Sequence, residues 1–243
     1  MRQRLACFAL SLLAVCSGAH AQTTTSTQLS RLAPDANMQV LALALEARDC
    51  AAASLGQAPA PRLAVIDYSL PSTKPRLWVF DLAQDKLLFR EVVAHGQGTG
   101  MNMAQNFSNQ DGTHESSLGL FRTADTYTGH NGYSLRLQGL EKGTNDAALA
   151  RAIVMHGAPY VNTAMAQKQG RLGRSWGCPA LRPEIAHQVI DSLKNGQLIF
   201  AYYPKSDWLA HSPFIHCKDK GKAALVARVD AAAGHGERVA SAP

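Results

Sequence analysis

Short apolar stretches separated by polar turns run along the middle of the chain, and this pattern is typical of β-strands. We predict strands at 63–68, 76–82, 87–94, 119–122, 133–138, 152–155 and 198–203. The gap between the second and third of these runs has the length of a hairpin turn. The main body of the protein is therefore predicted to be rich in β-structure.

Two segments instead have the apolar spacing of packing helices. One runs from Pro34 to about Ala53, and its first two residues suit a first helical turn. The other runs from Pro183 to Lys194 and ends before Asn195 and Gly196. Because helices occur at only a few places and do not alternate with the strands, we predict a mainly β fold with flanking helices (α+β). A single barrel or sandwich domain fits this pattern.

The two ends of the chain differ from this middle part. Arg2 and Arg4 precede the apolar stretch 5–15, and Ala19 and Ala21 form a small-residue cleavage site, as in a secretory signal peptide. A lipid anchor on Cys16 is disfavoured, since Val15 stands where a small residue is expected. The predicted division is a signal peptide at 1–21, an N-terminal helix and linker at 22–61, the main domain at 62–217 and an Ala-rich tail at 218–243.

Composition excludes several classes of function. Hydrophobic residues make up 46% of the chain and the formal net charge is +6, of which the predicted signal peptide contributes two basic residues. No apolar run reaches the roughly 18 to 20 residues of a membrane-spanning helix, so we do not expect an integral membrane protein. Basic residues do not cluster with aromatic ones, as they do in nucleic-acid-binding proteins. We expect an exported, periplasmic monomer that does not bind nucleic acid.

Export would leave three cysteines, which is an odd number for an oxidising compartment. Cys50 lies near the start of the fold and Cys217 closes it, so a disulfide between them would hold both ends of the domain together. The connectivity stays open, because a sequence alone does not determine it. With that pairing, Cys178 is the free thiol.

Cys178 lies in a setting that suits a nucleophile. It belongs to the segment RSWGCP at 174–179, in which Gly177 permits a tight turn and Pro179 disfavours a helix before it. A catalytic thiolate needs a neighbouring base and backbone N–H donors that can hold an oxyanion.

His156 is the candidate base. It ends the predicted strand 152–155 and is followed by Gly157, so its imidazole would stand at the end of a strand. The alternative interpretation is a structural histidine that only forms hydrogen bonds at the edge of a sheet. The residues alone leave both open.

The segments IVMHG at 153–157 and GRSWGCPAL at 173–181 resemble the two motifs of the L,D-transpeptidase catalytic domain (YkuD-like) family. The resemblance is strongest to the murein branch that has tryptophan before the Gly-Cys pair. A looser likeness extends over 63–217.

The resemblance implies an enzyme that acts on peptidoglycan stem peptides without a cofactor. Cys178 would attack the third residue of a stem, expel the terminal D-alanine and form a thioester. An amine would resolve this thioester into a 3-3 cross-link, or water would release the trimmed peptide. His156 would be the base, Ser175 would orient it or the turn, and the N–H groups of Gly177 and Cys178 would form the oxyanion hole.

The chain departs from the common form of the family at two places. Trp176 stands where a second histidine is usual, and we expect it to pack or to stack on substrate. The arginine usual just after the cysteine is missing. The candidates for binding the substrate carboxylate are Arg171, Arg174 and Arg182, and Gly157 completes the predicted substrate-binding set.

Two other interpretations remain open. A papain-like cell-wall endopeptidase would have its histidine after the cysteine, at His211 or His216, and a wall-binding protein without activity would use Cys178 only for structure. Three other histidines, His95, His114 and His130, lack the spacing of zinc ligands, so no metal is expected.

Overall fold

The computed structural model describes residues 24–215 and 217. The predicted signal peptide, the predicted tail and His216 lie outside the described residues. No helix within the described part of the chain is long and apolar enough to cross a membrane.

The N-terminal segment contains two helices where one was predicted. These are α1 (Ser26–Leu32) and α2 (Met38–Leu55). The predicted start at Pro34 was wrong, because Asn37 caps α2 by accepting a hydrogen bond from the N–H of Gln39. Gly56, with φ of 61°, ends α2 in the left-handed conformation that glycine adopts without strain.

Eight strands form one mixed sheet in the order β3-β2-β1-β8-β4-β5-β6-β7. The neighbours β1 and β8 are parallel, and Leu63 lies opposite Leu198. The strands are β1 (Arg62–Asp67), β2 (Leu77–Asp81), β3 (Lys86–Glu91), β4 (Gly119–Gly129), β5 (Gly132–Gly139), β6 (Val154–Gly157), β7 (Ala180–Leu181) and β8 (Leu198–Tyr202).

The two edges of this sheet approach each other. After β3 the chain forms isolated bridges between Ala94 and Ala180 and between Gly96 and Ser175. The sheet is therefore a nearly closed barrel with flanking helices, which confirms the predicted fold class as a barrel and not a sandwich. The closing contacts bring the segment after β3 against residues 175–180.

Helices cover the outside of the sheet. The other three are α3 (Thr163–Gln169), α4 (Pro183–Leu193) and α5 (Ser206–His211). The predicted second helix corresponds to α4, whose buried face, including Val189 and Ile190, belongs to the same apolar core as the strands. Leu41 on α2 belongs to that core as well. The N-terminal segment is thus packed into the domain.

A disulfide joins α2 to the end of the described chain. Cys50 and Cys217 are bonded, with their Cα atoms 6.0 Å apart. Cys178 is the free cysteine of the described part, and it is buried.

A buried group of polar side chains, here called the Glu141 cluster (Glu141, Asn145 and Trp208), ties β4 to α5. One Glu141 oxygen accepts from the N–H of Leu120 at 2.7 Å and the other from Trp208 Nε1 at 2.9 Å. The Asn145 amide donates to the Leu118 carbonyl at 2.9 Å and accepts from the Glu141 N–H at 2.8 Å. Burial raises the pKa of the Glu141 carboxyl, while these hydrogen bonds oppose that rise.

Candidate active site

Cys178 lies on a tight turn, here called the Cys178 turn (residues 174–179), just before β7. Ser175 Oγ accepts from the N–H of Gly177 at 3.1 Å and donates to the carbonyl of Cys178 at 2.6 Å. Gly177 has φ of 117°, and a Cβ on it would lie 2.8 Å from the carbonyl oxygen of Glu115. The turn therefore needs glycine before the cysteine and a hydroxyl at 175.

The thiol of Cys178 is held against the start of β6. Its Sγ lies 3.4 Å from the N–H of Val154, which donates to it, and 3.8 Å from the carbonyl oxygen of Ala152. His156 is two residues along the same strand from Val154 and pairs with Ala180 on β7. The thiol is therefore held against the strand that bears His156, two residues before that histidine. No hydrogen bond joins them directly within the described residues.

One ring nitrogen of His156 is bound to the backbone. Nδ1 lies 3.0 Å from the carbonyl oxygen of Gly157, and only an Nδ1 that carries hydrogen can donate to a carbonyl. The lone pair is then on Nε2, which has no hydrogen-bond partner in the described part of the chain. The tautomer suits a base that acts through Nε2.

Burial sets the protonation states of both groups. It lowers the pKa of His156, against the opposing hydrogen bond to Gly157, and it raises the pKa of the Cys178 thiol. The Val154 N–H and the positive charge of Arg151 oppose that rise. Both groups are therefore neutral at neutral pH, so a reaction at the thiol would need a base to take its proton.

The two predicted oxyanion-hole donors, the N–H groups of Gly177 and Cys178, differ in their bonding. The Gly177 N–H is already bonded to Ser175 Oγ. Of the two predicted donors, the Cys178 N–H is the one without a hydrogen-bond partner among residues 24–215 and 217. The Ser175 hydroxyl orients the turn, and no hydrogen bond of the described chain joins it to His156.

The three predicted carboxylate-binding arginines have protein partners. Arg182 makes two hydrogen bonds to Glu91, at 2.6 and 3.0 Å, so its charge is balanced. Arg174 donates to the carbonyl of Gly100 at 3.1 Å, and Arg171 donates to that of Leu172 at 2.9 Å.

Trp176 is the most exposed large hydrophobic residue of this region, with 70% of its surface accessible. Its ring stacks on that of His114, with centroids 4.8 Å apart and planes 4° from parallel. The long polar loop 96–117 thus supplies one side of the surface around the Cys178 turn.

That loop is fixed from within by Ser116. Its Oγ accepts from the N–H of Gly96 at 3.0 Å and donates to the carbonyl of Gly177 at 2.9 Å. A Cβ on Gly96 would lie 2.8 Å from the nitrogen of Gly177, so the loop can approach the turn only through a glycine.

A buried pair, Arg76 and His95, holds the start of the same loop. Arg76 donates to Nδ1 of His95 at 2.8 Å, so Nε2 carries the hydrogen and donates to the carbonyl of Met101 at 3.0 Å. Burial, with the nearby charge of Arg76, lowers the pKa of His95 to about 4. This histidine is neutral, and both of its ring nitrogens are bonded within the protein.

Sequence reasoning missed Arg151, which lies two residues before the IVMHG motif. Its guanidinium donates to the carbonyl oxygens of Ser108 and Glu115 and to Ser117 Oγ, at 2.7–2.8 Å. These partners lie 34 to 43 positions away in sequence, so no local pattern marks the residue.

The alternative bases occupy other places. His211 lies on α5 with 77% of its side chain exposed and pairs with Asp207. His216 lies outside the described residues. No group of His, Cys, Asp and Glu within the described part of the chain is arranged to hold a metal ion.

Comparison with known proteins decides the family. The model of the L,D-transpeptidase catalytic domain family matches residues 32–202. The chain belongs to this family. No curated protein matches it.

Solved structures of L,D-transpeptidases resemble it distantly. The L,D-transpeptidase from Mycobacterium smegmatis is 15% identical with a TM-score of 0.38, and the match covers 60% of this chain and 61% of that one. The helical cell shape determining protein Pgp2 from Campylobacter jejuni is 11% identical with a TM-score of 0.41, over 60% of this chain and 48% of that one. The chain thus spans about half to three fifths of the length of these proteins.

Proposed function

We propose that this protein is an exported, periplasmic cysteine L,D-transpeptidase that acts on peptidoglycan stem peptides. Family membership, the free buried thiol of Cys178 and the features of a signal peptide at 1–21 support this assignment. The murein branch with tryptophan before Gly-Cys is part of the proposal. The observation that carries it is the tautomer of His156, whose free Nε2 lies on the strand that also holds the thiol.

In the proposed reaction His156 Nε2 takes the proton of the Cys178 thiol as sulfur attacks the carbonyl carbon of the third stem residue. The Cys178 N–H donates to the oxygen that gains negative charge. The bond to the terminal D-alanine then breaks, and His156 returns the proton to the leaving amine. An amine of a second stem attacks the thioester carbon and gives its proton to His156. The carbon–sulfur bond then breaks to release the cross-linked product, and His156 returns the proton to the Cys178 sulfur.

Mass spectrometry of stem tetrapeptides incubated with the purified protein tests this function. Cross-linked dimer is the expected product, and trimmed tripeptide alone would identify water as the acceptor. Cys178→Ser should abolish both products and the thioester mass on the intact protein. Unchanged tetrapeptide with the folded wild-type protein contradicts the proposal.

Two histidine variants separate this mechanism from a papain-like one. His156→Ala should abolish acylation of Cys178, whereas His211→Ala should leave it unchanged, since His211 is exposed on α5 and bonded to Asp207. The reverse result would identify an endopeptidase. A biological effect that survives Cys178→Ser would identify a wall-binding protein without catalysis.

A further inference from the structure

Arg151 lies three residues before the start of β6, the strand that bears His156. The N–H of Arg151 donates to the carbonyl of Ala147 at 2.8 Å, and Ala152, the next residue, has φ of 54°. This turn fixes the direction in which the arginine side chain leaves the backbone. It also directs the Ala152 carbonyl to within 3.8 Å of Cys178 Sγ.

The guanidinium of Arg151 joins two parts of the loop that faces the Cys178 turn. One terminal nitrogen donates to the Ser108 carbonyl at 2.8 Å and to Ser117 Oγ at 2.7 Å. The other donates to the Glu115 carbonyl at 2.7 Å. That same carbonyl lies against Gly177, 2.8 Å from where a Cβ would be, so the arginine determines how closely the loop fits the turn.

The guanidinium also retains an unused donor. Nε of Arg151 is buried and has no hydrogen-bond partner in the described part of the chain. A buried N–H without a partner is uncommon in folded proteins, because it loses its bond to water and gains none in return.

Arg151 is the positive charge that acts on the nucleophile. Its charge lowers the pKa of Cys178, whereas burial raises it. Tyr68 and Tyr160 also face the thiol, but burial raises the pKa of each to about 12, so both are neutral. The other titratable groups around this site are His156, which is neutral, and Asp111 and Glu115, whose negative charges face Arg151.

We propose that Arg151 is a positioning residue of this active site: its guanidinium holds the loop 108–117 against the Cys178 turn, and its positive charge acts on the nucleophile that this turn presents. The proposal rests on the proposed role of Cys178 as nucleophile. It assigns to an arginine upstream of the histidine a role in activating the nucleophile, and neither sequence motif contains that arginine.

The test is a thiol titration that does not depend on transpeptidation. The full chain is alkylated with iodoacetamide over a range of pH, and peptide mass spectrometry follows modification of Cys178 alone. Arg151→Gln should raise the pKa of this thiol by on the order of one unit, which slows its alkylation about tenfold at a pH below that pKa. Arg151→Lys, which keeps the charge, should restore most of the difference.

Two further variants control for a loss of stability and for the removal of a positive charge elsewhere. Arg151→Met is the second neutral variant in case glutamine lowers stability too far. Arg90→Gln is the matched control, because it removes an equal charge from an exposed residue that pairs with Asp35. Thermal unfolding of each variant shows whether it is folded.

A raised thiol pKa in both neutral variants, with Arg90→Gln unchanged, supports the proposal. A folded Arg151→Gln or Arg151→Met protein with the wild-type thiol pKa overturns it. A lysine variant as impaired as the neutral ones also overturns the charge effect. Failure of the wild-type protein to acylate with stem peptide would refute the proposed function and would leave the titration result as it stands.

Discussion

The Glu141 cluster and the surroundings of Cys178 are both buried and polar, but they differ in how many of their groups are paired. In the Glu141 cluster each carboxylate oxygen and the Asn145 amide have partners within the protein. Around Cys178 three groups lack one in the described chain: His156 Nε2, the Cys178 N–H and Arg151 Nε. A buried N–H without a partner costs about 1–3 kcal/mol of stability unless water or a ligand supplies an acceptor. The first region stabilises the fold through paired groups, whereas the second leaves groups that a ligand could pair.

Cys178→Ser should produce the largest effect. We expect the rate of acyl-enzyme formation, followed by intact mass after addition of a thiol-reactive carbapenem, to fall by a factor on the order of 1,000 or more, because a serine hydroxyl is a far weaker nucleophile here. The free energy of unfolding should change by only about 1 kcal/mol. If the variant still acylates at a comparable rate, Cys178 is not the nucleophile.

Glu141→Ala should have the opposite effects: it should lower stability strongly and leave the reactivity of Cys178 unchanged. It leaves the N–H groups of Leu120 and Trp208 buried without an acceptor, so we expect a loss of about 3 kcal/mol or more in urea unfolding. Alkylation of Cys178 in the folded protein should be unchanged. Glu184→Ala is the control, since that side chain is 70% exposed, and it should change stability by less than about 1 kcal/mol. Equal losses of unfolding free energy in Glu141→Ala and Glu184→Ala would show that the buried hydrogen bonds of Glu141 do not account for the loss.

His95 can be compared with His156, because both ring nitrogens of His95 are hydrogen-bonded within the described part of the chain, whereas Nε2 of His156 is not. Its pKa falls from 6.5 to about 4 on folding, so its contribution to stability is present above pH 6.5 and is lost as the pH falls toward 4. We expect the wild-type protein to lose about 3 kcal/mol more than His95→Gln between pH 7 and pH 4, measured by urea unfolding. Parallel pH dependences in the two proteins would show that burial of His95 does not set this loss.

Trp176→Ala should give the smallest effect. The ring is 70% exposed and contacts His114, so its loss should change the free energy of unfolding by about 0.5 kcal/mol or less. If the ring stacks on substrate, KM for the stem peptide should rise several-fold with little change in kcat. Trp208→Ala, which removes a buried ring, is the contrast and should destabilise strongly. An unchanged KM would indicate that Trp176 packs on His114 and does not contact the substrate.

The sequence predicted strands best where one apolar run marked each of them. The run predicted at 198–203 became β8 at 198–202, and the run at 63–68 became β1 at 62–67. It predicted β4 poorly: the expected strand ended at Arg122, whereas the structure continues it to Gly129. The added residues are mostly polar and partly exposed, and they stay in the strand because β5 pairs with them.

The motif residues could be predicted from the sequence, but the residues that hold them in place through hydrogen bonds could not. Cys178, His156 and Gly177 stand in short patterns with recognisable chemistry. Arg151 and Ser116 act through hydrogen bonds to residues far away in sequence, and a single arginine or serine carries no local signal of such a role. The sequence did not show that the loop 96–117 lies against the Cys178 turn, or that Arg76 and His95 hold its first residues.

The Cys50–Cys217 disulfide has a consequence for how the protein matures. It spans 167 positions, so the ring can close only after Cys217 has been synthesised. Of the three pairings that Cys50, Cys178 and Cys217 allow, only this one leaves Cys178 as a free thiol. Burial of the Cys178 sulfur protects it from thiol exchange once the barrel has packed. Packing of the barrel before oxidation is therefore the order that leaves this thiol free.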